Sequence, residues 1–142
     1  MTITNASAIR TSTTTDSSLW RPAAVAGVAA AAATAAVAAV AHAAGVPLTL
    51  DGESIPPTGF AVMTLLCTAV GFGLAVAMRR WTRSPQRTFV RATVALTALS
   101  FVPDLLVAGA SADTRITLMV THVVAAAIFI PAIAARLSRT RS

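Results

Sequence analysis

Lysine and tyrosine are absent from the chain, and cysteine occurs once, at Cys67. A single cysteine excludes an intramolecular disulfide and any Cys-X-X-Cys chemistry. Its place near the middle of an apolar run marks it as a small inert hydrophobe. Charge is scarce as well. Charged residues make up 11% of the chain, against roughly 25% in a soluble domain. Five acids and two histidines leave little material for a hydrolase. There is no Ser/His/Asp triad spacing, no His-Glu-X-X-His, no phosphate loop and no Gly-X-Gly-X-X-Gly. No catalytic residue, metal ligand set or cofactor is therefore expected.

What is present is apolar. Hydrophobic residues are 56% of the 142-residue chain, and the mean hydropathy is +0.75. That composition points to lipid as the solvent of a single domain. Heavy alanine use without lysine resembles the codon bias of a GC-rich bacterial genome. The net charge of +6 does not imply nucleic acid, because the arginines cluster at the ends of apolar runs and form no continuous face.

One basic stretch organises the rest. Met78 to Arg91 holds Arg79, Arg80, Arg83, Arg87 and Arg91 and no acid, with a long apolar run on each side. It reads as a cytoplasmic loop between two membrane spans, near anionic lipid headgroups. Residues 1–21 are rich in Ser and Thr without apolar periodicity and read as a disordered cytoplasmic tail. The Asn5-Ala6-Ser7 sequon carries no meaning there. Trp20-Arg21-Pro22 looks like an interfacial anchor and a helix start. Four spans follow, at about 22–45, 59–78, 88–108 and 116–135, each near the ~20 residues a crossing needs.

The alanine-rich first span should pack closely against its neighbours. It competes with a signal peptide cleaved near Ala41-His42-Ala43, although it is longer than a signal core of about 7–15 residues. The linker at 46–58 carries Asp51 and Glu53 and no base, so it lies outside. Ala69, Gly73 and Ala77 form a small-residue packing face on the second span. Ten of the eleven arginines fall on the cytoplasmic side of this arrangement, and only Arg115 lies outside. The fold class is therefore an all-α integral membrane four-helix bundle, up-down-up-down, with both termini cytoplasmic and a short basic tail at 137–142.

Asp104 is the most informative residue, since an acid in a span costs roughly 2.5–3.5 kcal/mol at the bilayer centre and less near an interface. Thr93, Thr97, Ser100 and Asp104 share one helical face, as do Thr64, Thr68 and Gly71 on the second span. Thr117 and Thr121, with His122 beside them, do the same on the fourth. These stripes should face the bundle interior. By helical rise, Asp104 lies about 6 Å and His122 about 9 Å below the outer surface. Their helices are joined by a short turn, so the two can meet. His42 ends the first span at a similar level, and Pro103 frees the carbonyl of Leu99.

The candidate polar site is thus Asp104, His122, His42, Ser100, Thr97 and Thr121. One reading is an outward polar pocket that binds protons, a small ligand or a lipid headgroup. The other is structural, with His122 or Arg115 satisfying Asp104. A third places His42 and His122 as axial haem ligands.

The layout of the spans resembles a family of small bacterial membrane proteins known as domain of unknown function 6069. The resemblance rests on Pro56-Pro57-Thr58-Gly59, the arginine-rich central loop, Ser100-Phe-Val-Pro-Asp104, and Thr121-His122-Val-Val-Ala-Ala ahead of Pro131. It covers roughly residues 22–136. That family has no assigned activity, so the resemblance implies fold and location alone. The expectation is a multi-pass protein of the bacterial cytoplasmic membrane, partnered by the bilayer and by a second copy or another membrane protein. It would be a non-enzymatic packing or interaction protein, or else a small transporter or proton-linked binding protein using the Asp104–His122 pair.

Overall fold

The structure, a computed structural model, describes residues 17–50 and 52–139. The tail at 1–16, with Arg10, and the terminal Arg141 lie outside the described residues, as does Asp51. Four long helices make the fold: α1 (Ser17–Ala43), α2 (Pro57–Trp81), α3 (Pro85–Leu106) and α4 (Ala112–Arg139). All four are long and apolar enough to cross a membrane. At a rise of about 1.5 Å per residue even α3 is longer than a ~30 Å hydrocarbon core.

Each helix starts earlier than the sequence suggests. α1 begins at Ser17, so Pro22 lies inside it rather than at its first turn. The reason is tertiary: Leu19 is 1% exposed and belongs to the main core. α3 begins at Pro85, with proline in the first turn, where its missing N–H costs nothing. Arg87 and Arg91 are therefore helical, and the link from α2 is only Thr82-Arg83-Ser84. Thr82 closes α2 by donating its N–H and hydroxyl to the Met78 carbonyl at 3.0 and 2.6 Å. α4 begins at Ala112, where Ser111 Oγ accepts the Thr114 N–H at 3.2 Å, an N-cap bond. It runs on to Arg139 because Leu137 is fully buried.

α1 packs on α2 and α4, and α3 packs on α4; α2 and α3 touch less than any of these pairs. The two cores lie at opposite ends. At the arginine-rich end, Leu19, Ala23, Ala75, Phe89, Phe129, Ile133 and Leu137 form the larger one. At the other end Ala38, Leu48 and Phe60 form the smaller. Between them the facing residues are Ala, Gly and Thr. Thr34 and Thr64 share a hydrogen bond of 2.9 Å there, which ties α1 to α2.

The 46–58 linker is more ordered than a plain loop. Thr49–Leu50 (β1) and Glu53–Ser54 (β2) pair antiparallel around Gly52, whose φ of 85° suits a tight hairpin turn. Leu48, at φ 46°, plugs its side chain fully into the end of the bundle, and its carbonyl accepts the Ile55 N–H at 2.8 Å. Leu48→Ala should cost about 2–3 kcal/mol, as buried Leu-to-Ala changes do. Faster amide exchange of the hairpin and a lower unfolding temperature would show it.

A buried Asp–His pair beside a cavity

Asp104 and His122 do meet. Asp104 is 8% exposed, and its Oδ2 lies 3.0 Å from His122 Nδ1. The same nitrogen lies 3.0 Å from the Leu118 carbonyl, one turn back on α4. The Leu118 carbonyl can only accept, so Nδ1 carries the proton. Its N–H is aligned on the carbonyl, and Oδ2 has no aligned hydrogen-bond donor among the described residues. The two side chains are therefore in contact without an aligned hydrogen bond, and they form an ion pair only when the ring is protonated. Phe101 closes one side of the imidazole edge-on, with ring centroids 6.4 Å apart.

Arg115 does not satisfy the carboxylate. It reaches the Val107 carbonyl at 3.0 Å and so caps the end of α3. Its Nε is buried and unpaired among the described residues. His42 is exposed in the last turn of α1, a helix that packs on α2 and α4. No hydrogen bond or ion pair joins it to Asp104 or His122. Among the described residues no group of three or more His, Cys, Asp or Glu could hold a metal ion.

The hydroxyl stripes do turn inward in part: Thr68, Thr93, Thr117 and Thr121 are buried. Their satisfaction is local, however. Thr97 donates to the Thr93 carbonyl at 2.9 Å, Ser100 to Thr97 at 2.7 Å and Thr121 to Leu118 at 2.7 Å. Thr64, Thr68 and Thr93 do the same to their own helices. Such back-bonding uses up the hydroxyl proton and leaves the oxygen as an acceptor.

Thr64, Thr68, Thr93, Thr97 and Ser100, but not Thr121, line a cavity of about 350 Å³ between α2, α3 and α4. Thr64, Thr97, Ser100 and His122 lie toward one end, and Leu74, Phe129 and Ile130 toward the arginine-rich end. Its walls are mostly apolar, and its volume falls in the range of ligand pockets, about 300–1,000 Å³. Cys67 also lines it. The cavity follows from the packing: α2 and α3 meet weakly, and the facing residues at mid-height are small. The periodicity places the polar residues on shared faces, but nothing in it locates the gap between helices. Of the basic residues, Arg80, Arg83, Arg87 and Arg91 are exposed and Arg79 is half-buried.

Four packed apolar helices with a polar pair between two of them define a small multi-pass membrane protein. The chain belongs to a family of unknown function, DUF6069, whose model matches residues 14–139. No curated protein and no solved structure matches it.

Proposed function

We propose that the chain is a non-enzymatic binding protein of the bacterial cytoplasmic membrane, with both termini in the cytoplasm. It takes a small membrane-soluble ligand into the cavity between α2, α3 and α4. The observation that carries this reading is His122 lining that cavity while its Nδ1 bonds the Leu118 carbonyl and touches Asp104. Fixing Nδ1 leaves Nε2 as the nitrogen available to a ligand, an acceptor when the ring is neutral and a donor when it is protonated. The Asp104 carboxylate balances the charge of a protonated ring, so ligand and proton share one site. The other polar groups on the wall are hydroxyl oxygens that accept. The ligand that fits is apolar along most of its length, with a hydroxyl or amine donor at one end.

Native mass spectrometry of the protein extracted in mild detergent tests this. A bound small mass should survive release, disappear in Ala126→Leu, which fills the cavity wall, and weaken in His122→Ala. An adduct unchanged by Ala126→Leu would place the ligand elsewhere. A second reading, self-association, is favoured by the outward face of α2. Ala69 and Gly73 are exposed there, and a Cβ at Gly73 would meet nothing within 4 Å.

A further inference from the structure

A second cavity, about 600 Å³, lies between α1 and α4 at the arginine-rich end. Arg21 and Arg136 stand at its mouth. Val25, Ala26, Ile128 and Ala132, all apolar, line the rest of it, and Val25 stands exposed along its side. Arg21 lies in the second turn of α1 and Arg136 in the last turn of α4, so the antiparallel pair places both cations at the same end of the bundle. Both guanidiniums are exposed, and neither has an acidic partner among the described residues. Ile128 lies about two turns, or 12 Å, deeper than Arg136. The groove therefore joins a doubly cationic mouth to an apolar channel running into the membrane.

We infer that this groove holds an anionic phospholipid, its phosphate between Arg21 and Arg136 and one acyl chain along Val25 and Ile128. Three features favour that occupant. Two guanidiniums lining one groove give it a positive potential that favours an anion. Planar guanidiniums bind phosphate oxygens through paired N–H donors, a geometry that a compact ammonium lacks. The apolar lining begins directly below the charges, as the apolar part does in a phospholipid. A soluble anion would use the mouth and leave the apolar lining unexplained. A polypeptide helix would have to face two arginines with an acid inside the membrane interface. The site is separate from the cavity at His122 and stands whether or not that cavity binds a ligand.

The experiment is reconstitution of the full chain into phosphatidylcholine nanodiscs carrying a spin-labelled or fluorescent phosphatidylglycerol at low fraction, with binding read from probe contact. Each arginine near a charged headgroup contributes about fivefold in affinity, so Arg21→Gln/Arg136→Gln should weaken binding about thirtyfold. Arg80→Gln/Arg83→Gln, equally exposed and equally charged, should change it little. Val25→Trp, which fills the channel and leaves both charges, should also weaken binding. Equal losses in both arginine pairs would mean a diffuse basic surface and would overturn the inference. Competition by inorganic phosphate, with no effect of Val25→Trp, would make this an anion site without a lipid and would overturn it too.

Discussion

His122→Ala should destabilise the protein by about 2 kcal/mol, and adding Asp104→Asn to it should recover at least half of that loss. Removing one partner of a buried charged pair leaves the other uncompensated, at about 3–5 kcal/mol for full burial, whereas removing both is far milder. The value here is discounted because the His122 side chain is 34% exposed while Asp104 is 10% exposed. The asymmetry also predicts the order of the single changes. His122→Ala strands a carboxylate whose Oδ2 has no aligned hydrogen-bond donor among the described residues. Asp104→Asn strands nothing, because His122 Nδ1 keeps the Leu118 carbonyl at 3.0 Å. Asp104→Asn should therefore cost about 1 kcal/mol or less, near the net worth of one hydrogen bond. Reversible unfolding in mixed micelles of the two singles and the double measures the cycle. Strictly additive losses would show that the 3.0 Å contact carries no coupling, and the proton-linked site would fall with it.

The bundle was legible in the sequence because lipid imposes a simple rule: a run of about 20 apolar residues becomes a helix. The Asp104–His122 contact was legible for a related reason. A short turn makes α3 and α4 antiparallel neighbours, and helical rise then sets the depth of each side chain. Helix starts were harder. Pro22 signals a first turn, but burying Leu19 on α1 and Pro85 on α3 extends the helical segments beyond the apolar runs. The Asp51-Gly52 pair carried a hairpin signal that a loop rich in proline obscured. His42 and Arg115 show the limit of depth arguments. His42 shares the level of Asp104 and Arg115 offers it a charge, yet one is exposed on a helix across the bundle and the other turns to Val107. The cavities were not legible, because empty space depends on how closely particular pairs of helices approach.

Two glycines on one helix should give opposite results. At Gly71 a Cβ would lie 2.8 Å from Cε1 of Phe129, inside any real contact. Gly71→Ala therefore forces the ring to move, and overpacking of this kind costs about 1–3 kcal/mol. Phe129 is 5% exposed and packs in the larger core, yet it also lines the cavity. The ring's open direction is thus into the cavity, which it would shorten from the arginine-rich end. The alanine variant should lose stability at the low end of that range and lose the cavity ligand altogether. Adding Phe129→Leu should restore part of both. Two residues away, at Gly73, nothing lies within 4 Å. Gly73→Ala should be neutral or stabilising by up to about 1 kcal/mol, the helix preference of alanine over glycine. Unfolding curves and native mass spectra of the two variants decide between the roles of these faces. If Gly73→Ala instead lowers stability, or Gly73→Leu reduces the mass of the assembled particle, the outward face of α2 is occupied by a second copy. If Gly71→Ala behaves like Gly73→Ala, α2 and α4 are not held as close as the Phe129 contact requires. The cavity between them would then lack the rigid wall that a binding site needs.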